Sequence, residues 1–340
     1  MGWFRRRRGD DEHSSDGDDR SAESSELFLP GAVGDSSLNE GPGFVLLGGP
    51  RKEAGDIPTV LVDEEGVKYI TVGGRRLLAT VPDVLPKDAR EIRRLDFEHY
   101  LLRGALRANH AAPVQQPAAI LDVGCGSGRW ANEIALQFPH ANVIGLDVIT
   151  PPALEAAPPE NYVFVQGNVL QGMPFGNGTF DFVHMRLLFM AIPTSAWPVV
   201  TRELARVTRY GGWVELVESG LPIRGGPSLD ELARWVSDLS VRRGIDLRLG
   251  ARIAGFLHDA QLGSITFREF YLPLGRYGGR FGQMAAADML AIYDGLRPLV
   301  VAEGIADPQS YDRAFAQARG ELEVTQQCVR PFYLAFGQRM

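Results

Sequence analysis

Hydrophobic positions along this chain fall into two rhythms, and from about residue 113 onward the two alternate. Residues 120–123, 142–147, 162–166, 179–185 and 213–218 are compact apolar runs with the length and β-branched content of buried strands. Between them, 129–138 and 195–208 keep the three- and four-residue spacing of helices, whereas 150–159 carries too many prolines for a good helix. Alternation of this kind predicts a parallel sheet covered by helices on both faces. After Glu218 the pattern loosens. Residues 230–243 and 251–260 read as helices, 264–272 as a strand, 284–303 and 308–323 as helices, and 329–336 as a last strand.

Upstream of the alternation the rhythm is different. Pro86 and Asp88 open a helix to about residue 108 that places Ile92, Leu95, His99, Leu102 and Leu106 on one stripe. Residues 57–81 break into β-rich pieces at 59–62, 67–72 and 75–81, which predicts a hairpin or three-stranded ribbon. Residues 1–55 are dominated by Asp, Glu, Ser, Gly and Arg, and hold too few large apolar groups to offset the entropy of ordering. The expected organisation is a disordered acidic tail (1–55), a small β-rich extension (56–84), a cap helix (85–112), a core (113–275), a helical lid (276–326) and a final core strand (327–340).

Charge and cysteine content narrow the function classes. The formal net charge is -7. Residues 1–56 hold seven Lys/Arg against twelve Asp/Glu, so the rest stands near neutrality and offers no basic face for nucleic acid. Two cysteines, Cys125 and Cys328, argue against a disulfide framework, and no carboxylate and histidine cluster has metal-ligand spacing. No run reaches the roughly 18 apolar residues of a membrane span. Arg5 to Arg8 follow Met1 without an apolar segment, so the start does not read as a secretory signal. A cytoplasmic protein is expected, its oligomeric state unread.

The chemistry gathers around Asp122-Val123-Gly124-Cys125-Gly126-Ser127-Gly128-Arg129-Trp130, where the first core run breaks into a glycine loop. Alternate glycines permit positive φ and close approach of a ligand to the main chain. A dinucleotide fingerprint is spaced G-x-G-x-x-G; here the spacing is G-x-G-x-G, with an acid two residues ahead. A carboxylate there repels a pyrophosphate but accepts hydrogen bonds from a cationic amino-acid group. Asp147 ends the next run nineteen residues past Gly128, which suits a carboxylate gripping two ribose hydroxyls. That supports adenosine binding in either class of enzyme.

The glycine stretch resembles motif I of the class I S-adenosylmethionine (SAM)-dependent methyltransferases. Residues 178–186, Gly-Thr-Phe-Asp-Phe-Val-His-Met-Arg, resemble motif IV, and 203–214 resemble the helix, glycine turn and strand that follow it. Outside the core, Leu85-Pro86-Lys87-Asp88, Glu91, Arg94-Leu95 and His99, with Phe138-Pro139, Asn161-Tyr162 and His184-x-Arg186, are similar to the velvet-complex-type (secondary-metabolism regulator) methyltransferases and their stand-alone bacterial relatives. The resemblance implies a Rossmann-like, seven-stranded, mostly parallel sheet of the α/β class with an N-terminal cap helix and a C-terminal helical lid. It implies SAM as cofactor and S-adenosylhomocysteine (SAH) as product. The cofactor positions it points to are Asp122, Gly124, Cys125, Gly126, Gly128, Trp130, Asp147, Val148, Asn168, Val169 and Met185, with Asn168 at the adenine edge.

What is missing also discriminates. No D/N-P-P-Y stands at the end of the fourth run, so methylation of adenine or glutamine nitrogen is disfavoured, and no Pro-Cys nucleophile supports cytosine chemistry. The expected reaction is in-line displacement at the sulfonium methyl by a small-molecule acceptor at oxygen, a hydroxyl or carboxyl, driven by alignment and desolvation. His184, His99 and Glu218 are candidate bases, each with a plainer reading: packed strand residue, core histidine, strand-end acid. Arg186 is a candidate anchor for an anionic substrate, or a partner of Asp96 or Glu218. Tyr277, with Arg276 and Arg280, is a candidate for the substrate side. The alternatives are a SAM-binding regulatory or partner protein with little turnover, and an NAD-dependent oxidoreductase, which the glycine spacing and Asp122 disfavour.

Overall fold

The computed structural model describes residues 60–63, 66–79, 81–150 and 158–340. The acidic tail and most of the proline-rich connector lie outside the described residues. The chain enters through a ribbon, β1 (Val60–Val62), β2 (Lys68–Val72) and β3 (Arg75–Leu78), paired antiparallel in that order. Helix α1 (Ala89–Leu106) follows, its N-terminus capped by Asp88, which accepts from the Arg90 and Glu91 N–H groups. Arg75 of β3 also reaches Asp88, and Lys87 N–H donates to the Arg76 carbonyl, so the ribbon is tied to the start of α1.

The main sheet is built from β4 (Ala119–Val123), β5 (Asn142–Asp147), β6 (Tyr162–Gln166), β7 (Phe180–Arg186), β8 (Thr208–Ser219), β9 (Leu262–Pro273) and β10 (Val329–Arg339). Its spatial order is β6-β5-β4-β7-β8-β10-β9, parallel except for β10, which is antiparallel to both neighbours. The chain leaves β4 outward through β5 and β6, then returns to β4's other side as β7. Such a reversal opens a crevice at the carboxyl ends of the strands, here between β4 and β7. Helices α2 (Arg129–Gln137), α3 (Trp197–Val207), α4 (Pro227–Arg242), α5 (Ile253–Asp259), α6 (Gly279–Ala302) and α7 (Pro308–Val324) complete the fold. On one face Ile120, Val143 and Phe182 pack on Trp130 and Ile134 of α2; on the other Leu121, Val183 and Leu216 meet Trp197 and Leu204 of α3. Strand neighbours point to opposite faces, which is why each of these runs is apolar throughout. This is the seven-stranded, mostly parallel architecture expected, with a helical pair α6–α7 before the last strand.

Two local expectations need correcting. The Gly211-Gly212 turn does not precede a strand: β8 begins at Thr208 and runs through both glycines. Thr208 pairs with Phe180 and Trp213 with Phe182, so the extra residues form a bulge on β8, with Gly211 at φ +76°. The second is the buried face of α1. Ile92, Leu95 and Leu106 are only half-buried, while Glu91, Arg94 and Glu98 are buried along with His99, Leu101 and Leu102. Charges are tolerated there because partners arrive from far along the chain. Arg94 bonds Glu91, Glu98 and Asp288 of α6, and Arg330 of β10 bonds Glu98, Asp288 and Ser219.

Candidate active site

The crevice is floored by the turn that follows β4. Gly124, Gly126 and Gly128 adopt φ of +70°, +55° and +75°, conformations in which an L side chain is strained. A Cβ on Gly124 would stand 2.6 Å from Leu188 Cδ1, and one on Gly126 3.5 Å from Leu95. The loop therefore lies under the first turn after β7 and beside α1. Gly128 N-caps α2.

Three polar residues frame the loop. Asp122, at the end of β4, is 2 % exposed, yet no N–H or side chain among the described residues donates to its carboxylate. Burial holds its pKa up at about 7; Asp147 pushes in the same direction and Arg186 opposes it. Asp147, at the end of β5, accepts from Gly126 N–H at 2.8 Å and Val148 N–H at 2.7 Å, which binds the glycine loop to the next strand. Burial raises its pKa, and Lys87 opposes the shift; Lys87 Nζ lies 2.5 Å from Asp83. Asn168, after β6, caps a short 3-10 turn through its carbonyl, accepting from Leu170 N–H, so its amide group is the part left to donate. Val148 and Val169 are half-buried alongside.

The remaining residues singled out from sequence sort into two groups. Trp130, Cys125 and Met185 are buried. The Trp130 ring stacks on His184 at 3.9 Å between centroids, its indole N–H donating to the Asn109 carbonyl. His184 is 1 % exposed with Nδ1 3.2 Å from Glu215, and burial lowers its pKa. Glu218 is fully buried; its oxygens accept from Leu188 and Phe189 N–H, and burial pushes its pKa to about 8. His99 is buried on α1 between Arg186, 2.9 Å from its Nδ1, and Glu133, 3.2 Å from its Nε2; burial lowers its pKa to about 4. Arg186 thus meets His99, whereas Asp96 is engaged by Arg129. Tyr277 is not brought to this group: it lies just ahead of α6 and its hydroxyl donates to the Cys328 carbonyl, just ahead of β10. Lys87, Glu133 and Leu188 stand beside these residues, next to Asp147, His99 and Gly124 respectively, and were not singled out from sequence. Of these, only Lys87 carried a signal, its place in the Pro86-Lys87-Asp88 stretch.

A parallel sheet of this order, with an acid ahead of a G-x-G-x-G loop and a second acid on the adjoining strand, defines a nucleoside-binding α/β protein of the class I methyltransferase type. Comparison with known proteins agrees: a methyltransferase domain family matches residues 120–212. The chain is 26% identical over 269 residues to the N-methyltransferase sirN of Leptosphaeria maculans, covering 75% of this chain and 94% of that protein. It is 30% identical over 202 residues to the methyltransferase str2 of Strobilurus tenacellus, covering 57% and 71%. Over 98 residues it is 38% identical to the secondary metabolism regulator laeA of Coprinopsis cinerea, covering 29% and 24%. The chain belongs to the class I SAM-dependent methyltransferases.

The residues present fit that cofactor. A buried carboxylate without a donor at Asp122 matches an ammonium group, and the glycine loop leaves main chain open to contact. Asp147, whose Oδ1 accepts from Val148 and Ile149 N–H and whose Oδ2 accepts from Gly126 N–H, keeps a lone pair on Oδ2 for a ribose hydroxyl. SAM supplies an electrophilic methyl on a sulfonium. The protein's own part is to hold the donor and to exclude water, with Leu188 and Leu95 packed on the loop.

Proposed function

We propose that this protein transfers the methyl group of SAM to a small organic molecule, at an atom that carries a free lone pair at neutral pH. The observation that carries this is the state of the three groups suggested as bases. His184 is buried against Trp130, His99 is held between Arg186 and Glu133, and Glu218 spends both oxygens on backbone N–H groups with its pKa near 8. None is placed to take a proton from an acceptor. Oxygen methylation then means a carboxylate oxygen, already ionised and needing no base. Amine nitrogen is the second reading, favoured by the likeness to the N-methyltransferase sirN over most of its length. A cytoplasmic setting accords with two cysteines that are free thiols.

The test is transfer from methyl-labelled SAM into a fractionated small-molecule extract. Label in a low-molecular-weight fraction is expected. Release of that label as methanol in mild alkali marks a carboxyl ester. Alkali-stable label that is basic and released as methylamine or a methylated amine on degradation marks nitrogen, and an alkali-stable methyl ether would overturn the reading. SAH binding with no label in any fraction would overturn the reading in favour of a SAM-binding regulatory protein.

A further inference from the structure

We infer that Arg186 is the carboxylate-binding half of the cofactor's amino-acid site, and that His99 is a positioning residue that holds its guanidinium there. This rests on the SAM reading above and assigns within it a partner for the methionine carboxyl group.

The geometry starts from strand register. Asp122 of β4 is paired with His184 of β7, and side chains two residues apart share a face, so Arg186 follows on the same face at the carboxyl edge. Asp122 and Arg186 thus stand at the mouth of the crevice beside the glycine loop. Each acts on the other, yet the two form no ion pair and share no hydrogen bond among the described residues. Asp122 is almost wholly buried without a donor. Arg186 is half-buried, and its one hydrogen bond among the described residues goes to His99, although a guanidinium carries five N–H groups. A buried acid without a donor and a nearby cation that uses one of its N–H groups on His99 and leaves the others open are complementary to a zwitterion. The free amino-acid end of SAM is one, with its ammonium facing Asp122 and its carboxylate facing the open N–H groups of Arg186.

The role of His99 follows from proton bookkeeping. Arginine only donates, so Nδ1 of His99 accepts, the ring proton sits on Nε2, and Nε2 faces Glu133 Oε2 3.2 Å away. A neutral ring, bonded to Arg186 through Nδ1 and with Nε2 close to Glu133 but outside hydrogen-bond geometry, sets the guanidinium's direction. Arg103 donates to both Glu133 oxygens. His99 is in this way removed from the base candidates and given a task in cofactor recognition.

The experiment compares two probes by calorimetry on the full chain: SAH, and its decarboxylated analogue, which keeps the amine and thioether and lacks only the carboxyl group. Arg186→Met is expected to weaken SAH about ten- to hundredfold while shifting the analogue by less than about threefold. His99→Leu is expected to cause a smaller loss of the same selectivity, and His99→Asn, whose amide oxygen replaces the Nδ1 acceptor, to restore most of it. Equal losses for the two probes, or no loss for SAH, would overturn the assignment to Arg186. An Asn variant no better than Leu would remove His99 as a positioning residue. If Arg186→Met does not fold, Arg186→Lys must show the same preference for loss of SAH. Failure of the wild-type chain to bind either probe would instead count against the SAM reading itself.

Discussion

A carboxyl group that is buried and lacks a donor is poised to respond to a cation, and Asp122 is such a group. Its folded pKa, about 7, lies above the value of about 4 for an unfolded aspartate. The unfolded chain therefore releases the proton first, so this residue's contribution to stability falls as pH rises from about 4 to about 7 and is flat above. Asp122→Asn removes that slope: between pH 5 and 7 the melting temperature of the ligand-free variant should decline less than that of the parent. Binding has the opposite sign. An ammonium against Asp122 favours the ionised form, so SAH affinity should increase about tenfold between pH 6 and 8 in the parent and stay flat, though weak, in Asp122→Asn. Calorimetry across that range decides it, and a parental affinity independent of pH would exclude a titrating Asp122. At this scale the places of Asp122, Asp147 and Asn168 at or just past strand ends were legible, because apolar runs and glycine spacing mark them. The environment of a histidine was not. Nothing near His184 in the sequence announces Trp130 as a ring stacked on it, and nothing near His99 announces Arg186.

Among the elements, α1 shows what periodicity reads and what it misses. The extent of the helix followed from Pro86, Asp88 and the apolar spacing, and it runs Ala89–Leu106. Its buried face did not follow, because Glu91, Arg94 and Glu98 look like a solvated side until Asp288 and Arg330 are folded against them. The β8 bulge is similar: two glycines mark a departure from regular pairing but not whether the strand stops. In the α1–α6–β10 network two arginines answer Glu91, Glu98 and Asp288, and burial holds the Asp288 pKa up at about 7. Removing one cation strands buried acids. Arg330→Met should cost about 3–5 kcal/mol, since Glu98 and Asp288 would then share Arg94 alone. For a chain of this size that corresponds to roughly 10 °C in melting temperature. The double variant Arg330→Met/Asp288→Asn, which removes the stranded charge along with its partner, should recover more than half of the loss. A double variant no better than the single one would mean that the network is not held together by charge.

At the scale of the molecule, the order of strands was legible because an alternating pattern with one reversal permits few parallel sheets, whereas the covering of the crevice was not, since it depends on contacts between distant segments. Arg75 of the ribbon and Asp294 of α6 meet at the start of α1, where Asp88 takes Arg75 and Asp294 takes Arg90. Ribbon, α1 and α6 thus converge at one corner. Every residue assigned here to the site lies between Lys87 and Leu188, on α1 and the turn ahead of it, the glycine loop, α2, and the ends of β4 to β7 with the turns that follow them. The acidic stretch 1–55 contributes none of them, and its composition gives it little apolar surface to dock. Deleting residues 1–55 should therefore leave the cofactor response intact. SAH at 100 times its dissociation constant stabilises a one-site protein by about 2.7 kcal/mol, which is roughly 5–10 °C here. Thermal unfolding of the full and shortened chains should show that shift equally. A shortened chain that folds but loses it would place part of the cofactor site in the tail, and the ends of β4, β5 and β7 would then be an incomplete account of binding.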